Sequence, residues 1–140
     1  MKLNKIRLDN FRNIKLMEFF PCNEVNIIYG NNAQGTTNLM EAIWLLTGSR
    51  SFRGSKDTDF IPFSGGSAKI QGEFSKNGLE KEISIVYGEQ KKILLGGNKI
   101  RTAAELVGEF NAVVFFPDHL SFVKDGPSVR RRFLDQAISQ

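Results

Sequence analysis

A glycine-bounded loop between an apolar run and a helical segment constrains this chain more than any other feature of its sequence. The apolar run, residues 25–29, predicts a strand. The loop runs from Gly30 to Gly35, and apolar residues at 38–46 have the spacing of a helix. Glycine at both ends lets the backbone curl without a Cβ clash. Successive N–H groups of such a loop point inward and form a nest for an anion beside the helix N-terminus. The order of these elements predicts a phosphate-binding loop.

The spacing fits the nucleotide-binding pattern G-x-x-x-x-G-K-[ST] at every position but one. The lysine position holds Thr36, which is uncharged and too short to reach the outer phosphates of a nucleoside triphosphate. Thr37 supplies the hydroxyl that reaches Mg²⁺ in such loops. One lost charge-assisted hydrogen bond weakens binding by about 1.5–3 kcal/mol, and turnover suffers more. The residues predicted to bind ATP are Gly30, Asn31, Asn32, Ala33, Gln34, Gly35, Thr36, Thr37 and Asn38, with Thr37 also contacting Mg²⁺.

The composition is that of an ordinary soluble globular domain, with 41% hydrophobic and 24% charged residues among 140. A net charge of +4 favours a polyanionic partner only mildly. No apolar stretch is long enough to span a membrane, and the opening residues lack the apolar core of a signal peptide. The single cysteine, Cys22, cannot form an internal disulfide, which fits a cytoplasmic setting. One cysteine and one histidine are too few for a zinc site.

The N-terminal half predicts mainly strands around one helix. Residues 3–8 and 14–20 predict two strands joined as an antiparallel hairpin-like unit ahead of the loop. Gly48 predicts the C-terminal end of the helix, and the composition of residues 49–67 is typical of a loop. Three short strand patterns separated by turn residues predict an antiparallel meander, at residues 68–74, 82–87 and 91–95.

The C-terminal third predicts a short helix, a strand and a basic helix. Thr102 and Glu105 have the spacing of a capping box for a helix over residues 102–110. Residues 112–116 form a continuous apolar run and predict a buried strand. Residues 128–139 predict a helix with a basic beginning.

Three segments carry sequence motifs that recur together in one family. The first is Leu8-Asp9-Asn10-Phe11-Arg12-Asn13; the second is the glycine loop followed by Asn38-Leu39 and Glu41-Ala42; the third comprises Phe116-Pro117-Asp118, Val123-Lys124, Gly126-Pro127 and Arg130-Arg131-Arg132-Phe133-Leu134-Asp135. In this order they resemble the RecF family of bacterial DNA repair ATPases, which is related to the structural-maintenance-of-chromosomes (SMC) and Rad-type heads. The resemblance covers essentially the whole chain, and only the combination is specific.

The resemblance implies a mixed α/β fold, a P-loop NTPase of the ABC and SMC head type, here a partial ATPase lobe with an antiparallel β meander. It implies that ATP is sandwiched between two heads, closing a homodimer over double-stranded DNA near a gap or single-strand junction. RecR, with RecO, would be a partner in loading RecA at gaps, with roles in recombination, replication and SOS induction. It also implies that Arg12 reaches the nucleotide; the alternative is a solvated turn arginine.

Two departures from the family pattern matter. Because the rest of the loop matches closely, Thr36 is better explained as a single engineered substitution than as a natural relic. The chain also lacks an LSxGQ-type signature motif and an apolar Walker B strand ending in Asp-Glu. Ser64-Gly65-Gly66 lies too early to be the signature, and Pro117 interrupts the Walker B-like run before Asp118. We therefore expect residues 1–140 to be the N-terminal part of a head whose missing motifs lie C-terminal to it. Lysine-containing members would be slow DNA-linked ATPases, and this part alone would be inactive.

Two basic clusters are candidates for contacts with DNA phosphates. The candidate residues are Arg50, Arg53 and Lys56 in the loop after the helix, and Arg130 and Arg131 near the C-terminus. A solvated loop is the alternative for the first cluster. In a helix, consecutive arginines point about 100° apart, so only some of the second cluster can face DNA. For Asp118 and His119, capping or surface roles are favoured over catalysis.

Three functions are candidates for a chain with these motifs. The first is an ATP-gated, DNA-binding ATPase of the RecF type, impaired by Thr36. The second is a non-catalytic nucleotide- or DNA-binding module, which fits the chain as written. The third is a small-molecule P-loop kinase, which would require the lysine and a basic lid that the sequence does not provide.

Overall fold

A six-stranded antiparallel sheet is the main element of the computed structural model, which describes residues 1–31, 35–115, 127 and 131. Its strands are β1 (Lys2–Phe11), β2 (Ile14–Phe19), β3 (Ala68–Lys76), β4 (Leu79–Tyr87), β5 (Lys92–Leu95) and β6 (Asn98–Ile100). Across the sheet their order is β2-β1-β3-β4-β5-β6. The described residues also form the helix α1 (Thr36–Leu45) and two one-turn 3₁₀ segments, Asp57–Phe60 and Ala103–Leu106.

Tight turns with left-handed residues join β3 to β4 and β5 to β6. Asn77 and Gly78, at φ 53° and 79°, connect β3 to β4, as the turn signal in the sequence predicted. Gly96 and Gly97, at φ 55° and 80°, connect β5 to β6. The predicted N-terminal hairpin and the meander are therefore confirmed. Strand β6 was missed, although the glycine pair before it is a hairpin signal.

One face of the sheet and α1 enclose the core. The buried apolar residues of β1, β3 and β4 lie mainly at alternate positions and include Ile6, Leu8, Ile70, Phe74, Ile83 and Ile85. The residue at the middle of β3 is Gly72, which has no side chain on the core face of the sheet. A Cβ there would lie 2.4 Å from Cδ1 of Leu46, which packs over it. This close approach fixes α1 against the sheet.

Two predicted strands are wrong for the residues that the structure describes. Residues 25–29 are not a strand, and the exposed fractions are 76% for Val25, 82% for Ile27 and 90% for Tyr29. Residues 112–115 are not a strand either, and Val113 is 97% exposed. A strand needs a neighbour for its N–H and C=O groups. Within the described ranges these segments pair with no strand of the sheet.

The predicted helix at 102–110 is shorter than expected. It is the single turn Ala103–Leu106, and Gly108 follows at φ 82°. The capping box is confirmed, because the Glu105 carboxylate accepts hydrogen bonds from the backbone N–H groups of Thr102 and Arg101, each at 2.9 Å. The predicted helix at 128–139 lies outside the described residues except for Arg131. No helix among the described parts is long and apolar enough to cross a membrane.

Candidate functional site

The glycine loop ends in a left-handed turn at Gly35, where α1 begins. Gly35 is the N-cap of α1 with φ 101°, a left-handed conformation that glycine adopts without strain. A Cβ at Gly35 would lie 3.1 Å from Cγ1 of Ile14 and 3.3 Å from Oδ1 of Asn13. The backbone therefore passes so close to the β1–β2 turn that glycine is strongly favoured. Of the other loop positions, Gly30 and Asn31 are exposed, and residues 32–34 lie outside the described ranges.

The first turn of α1 has no neutralising group of its own. No side chain caps it, and it contains no acidic residue. The first N–H groups of a helix lack intrahelical acceptors and carry partial positive charge. Thr37 is exposed at the second helical position, and Thr36 is half-buried at the first. This end of the helix therefore suits an anion.

The turn between β1 and β2 is anchored beside Gly35. Asn38 Nδ2 donates a 2.7 Å hydrogen bond to Asn13 Oδ1. The backbone N–H of Arg12 donates to the carbonyl of Phe60 at 2.8 Å, and its guanidinium lies 5.1 Å from the centroid of the Phe60 ring. The turn is thus held from two sides, by α1 and by the segment around Phe60.

A buried carboxylate on α1 is the centre of a polar cluster. Glu41 is 0% exposed, and Arg12 binds it through two hydrogen bonds, Nε to Oε2 at 2.6 Å and Nη2 to Oε1 at 3.0 Å. Ser51 Oγ donates to Oε1 at 2.5 Å. Arg12 also donates to Ser55 Oγ at 2.5 Å and to the carbonyl of Asp59 at 3.4 Å. Four of its five N–H donors are therefore committed to protein groups.

These contacts change the interpretation of Arg12. The alternative of a solvated turn arginine is wrong, because its side chain is 16% exposed and paired with a buried carboxylate. A direct contact with the nucleotide stays a prediction. Sequence reasoning did not assign a role to Glu41. The available signal was its position three residues after Asn38 and four before the buried Leu45, where a carboxylate needs a partner.

The predicted DNA-contacting residues that the structure describes are all exposed. Arg53 lies beside the first turn of α1, where its Nη1 donates to Asn38 Oδ1 at 2.9 Å and lies 3.6 Å from Glu41 Oε2. Arg50 and Lys56 are exposed, as is Arg131. Arg130 lies outside the described residues, as do Asp118 and His119.

Comparisons with known proteins agree with this geometry. No protein-family model matches the chain. The chain is 41% identical to DNA replication and repair protein RecF of Thermoanaerobacter sp. (strain X514), over 99% of this chain and 39% of the relative. A solved structure of the recombination mediator protein RecF-ATPrS in the RecFOR pathway has a TM-score of 0.91 and 43% identity, covering 98% of this chain and 38% of that one.

The chain is homologous to the N-terminal part of RecF. A second RecF structure, described as RecF-ATP, matches with a TM-score of 0.87 and 43% identity, over 98% of this chain and 39% of that chain. The chain thus spans about two-fifths of the length of the RecF proteins it matches, 39% in the relative named above.

The fold-class prediction is confirmed through RecF and the SMC heads. A structure from work on ATP-driven dimerization and DNA-stimulated activation of SMC ATPases has a TM-score of 0.75 at 22% identity, covering 98% of this chain and 99% of that one. At that identity the match concerns the fold alone. The RecF-like chain is therefore a partial lobe of a P-loop ATPase head, with its antiparallel sheet as the described part.

Proposed function

We propose that this chain is the nucleotide-binding part of a RecF-type DNA repair and recombination protein. The observation that carries the proposal is Gly35, which occupies the N-cap position of α1 at φ 101° and leaves the helix N-terminus without a side-chain cap. The chain that contains this turn matches the RecF-ATPrS structure with a TM-score of 0.91. In this role the loop holds the phosphates of ATP through backbone N–H groups, and the helix end adds its partial positive charge.

In this proposal the predicted ligand-binding residues of the loop and of α1 bind the phosphates and Mg²⁺. The loop residues 30–35 and the first helical residues Thr36, Thr37 and Asn38 surround the phosphates. The described residues hold no group of three or more His, Cys, Asp or Glu side chains suited to a metal ion. Mg²⁺ suits this arrangement because it is usually bound by few protein oxygens together with substrate phosphates. The exposed Thr37 hydroxyl is the protein oxygen that we assign to it.

Thr36 limits what the loop does with ATP. The lysine of such loops places a cation on the β- and γ-phosphates, and a threonine leaves that charge unmatched. Binding by backbone N–H groups does not depend on the lysine, whereas turnover depends strongly on such a fixed charge. The chain with Thr36 therefore fits a weak, non-catalytic nucleotide-binding module. This is the second candidate function, and Thr36 is the observation that favours it.

We further propose that residues 1–140 are one part of a head whose Walker B and signature motifs lie C-terminal to it. The exposed apolar side chains of Val25, Ile27, Tyr29 and Val113 support this, since exposed apolar patches mark interaction surfaces. The RecF relatives are longer, the chain covering 39% of one of them. A completed head would supply neighbours for both segments.

The whole protein is then an ATP-dependent homodimer that binds double-stranded DNA at gaps or single-strand junctions. It works with RecR and RecO to load RecA, and contributes to replication and SOS induction. Of the candidate DNA-contacting residues, Arg50, Lys56 and Arg131 are exposed. Affinity that comes from such phosphate contacts falls as salt rises. Duplex binding that ignores salt would contradict this assignment.

Restoring the lysine tests the proposed function. Thr36→Lys is expected to raise ATP affinity by about tenfold or more, the equivalent of one charge-assisted hydrogen bond, in isothermal titration calorimetry with Mg²⁺ present. Hydrolysis should stay absent, because the remaining catalytic groups are not in this chain. Robust phosphate release by the 140 residues, or no ATP binding after the substitution, would overturn the proposal.

A further inference from the structure

Residues 50–53, which we call the strap, run back against α1 after the helix has ended. Trp44 Nε1 donates a 2.8 Å hydrogen bond to the carbonyl of Arg50. The Trp44 ring meets the Phe52 ring edge-on, with centroids 6.5 Å apart and an interplanar angle of 73°. Both contacts of Trp44 therefore hold the beginning of the strap near the C-terminal end of the helix.

Glu41 provides the polar and charged contacts between α1 and the strap. It receives the Ser51 hydroxyl at 2.5 Å, and Arg53 Nη1 lies 3.6 Å from its Oε2. The same Arg53 atom donates to Asn38 Oδ1 at 2.9 Å, in the first turn of α1. Arg12 contributes the second guanidinium group on the same carboxylate. One buried carboxylate thus serves two guanidinium groups, and positive charge exceeds negative charge within this cluster.

The position of this excess charge matters for a phosphate ligand. Arg53 is held at the N-terminal end of α1, where the helix itself presents partial positive charge. Its side chain is 42% exposed, whereas Arg12 is 16% exposed and largely committed to protein groups. The Glu41 carboxylate offsets only one of the two guanidinium charges, so a bound phosphate would offset the other.

We propose that Glu41 is a positioning residue for the nucleotide site, acting through Arg53. By holding Ser51 and Arg53 against α1, its buried carboxylate keeps a positive charge beside a loop whose own lysine position is Thr36. This inference rests on the proposed ATP-binding function. It assigns to Glu41 a role in ligand affinity in addition to its role in packing.

The test removes the charge of Glu41 while keeping its shape. Glu41→Gln, made in the chain as written and in the Thr36→Lys background, is expected to lower ATP affinity about tenfold or more in calorimetry. Trp44 is the only tryptophan, so its emission reports directly whether the strap stays docked. We expect a red-shifted emission in this variant. Glu89→Gln, at an exposed position in the turn after β4, is the matched control and should change neither quantity.

A second variant separates positioning from a purely structural role. Arg53→Gln leaves the buried Arg12–Glu41 pair intact, so it should fold and still lower ATP affinity by a similar factor. In that background Glu41→Gln should add little further loss of affinity. Equal losses with and without Arg53, or affinity insensitive to Glu41→Gln, would overturn the inference alone. Absence of ATP binding in every background, Thr36→Lys included, would instead overturn the proposed function.

Discussion

Of two groups of apolar segments in this chain, one forms strands of the sheet and the other does not. In the meander, β3 and β4 pair along nine positions, and Ile83 and Ile85 are buried. Residues 25–29 and 112–115 are as apolar in sequence, yet they form no strand, and Ile27 is 82% exposed. The meander strands find partners a few residues away. The other two segments need partners that the described sheet does not supply.

The difference shows that the glycine loop lies at a boundary of the fold. On its C-terminal side, α1 packs on the sheet through Leu46 over Gly72. On its N-terminal side, the preceding apolar segment is exposed. Gly35, at the end of the loop, is therefore supported by the β1–β2 turn and by α1. Residues 25–29 should accordingly contribute little to the stability of this chain, and several substitutions test this contrast.

Breaking the buried ion pair should have the largest effect. Arg12→Met leaves the Glu41 carboxylate buried without its bidentate partner, and we expect a loss of about 3–5 kcal/mol in the free energy of unfolding. Urea denaturation followed by tryptophan fluorescence measures it. Arg7→Met is the control, because Arg7 and Glu18 pair at 3.3 Å on the surface, and it should cost less than about 1 kcal/mol. Equal losses would contradict a special role for the buried pair.

Truncating one apolar residue on each side of the loop compares the two parts directly. Ile85→Ala removes a side chain that is 2% exposed and should cost about 2–5 kcal/mol. Ile27→Ala should change the stability of this chain by less than about 0.5 kcal/mol. Denaturant unfolding of both variants measures the contrast. A large loss from Ile27→Ala would mean that residues 25–29 are packed within this chain.

The smallest expected effect concerns the capping box beyond the meander. The hydrogen bond from the backbone N–H of Thr102, followed by that of Arg101, holds the pKa of Glu105 below its ordinary value. A carboxyl with a depressed folded-state pKa stabilises the fold above its unfolded pKa, and this contribution is lost as pH falls through the folded pKa. NMR titration of the carboxyl carbon should find the lowered pKa. Glu105→Gln should remove this part of the acid dependence of stability, and an unchanged dependence would contradict the capping role.

Local patterns explain what the sequence could predict. The alternation in β1, the Asn77-Gly78 turn and the helical spacing after Gly35 each depend on residues close together in the chain, and these elements are present. The pairing of Arg12 with Glu41 spans 29 positions, so no local pattern reveals it. The strand at residues 25–29 was predicted from its apolar composition and its position before the loop. Composition does not say whether a strand has a neighbour to pair with.

The central proposal is that Gly35 and the start of α1 favour a bound phosphate while Thr36 lacks the charge of the usual lysine. The most direct test measures ATP affinity by calorimetry for the chain as written, Thr36→Lys, Gly35→Val, and the two changes together. We expect the lysine to raise affinity about tenfold or more only when Gly35 is present, since a Cβ at φ 101° and 3.1 Å from Ile14 distorts the turn. An equal gain from the lysine with valine at position 35 would contradict the claim, because charge would then act without the shape of the loop.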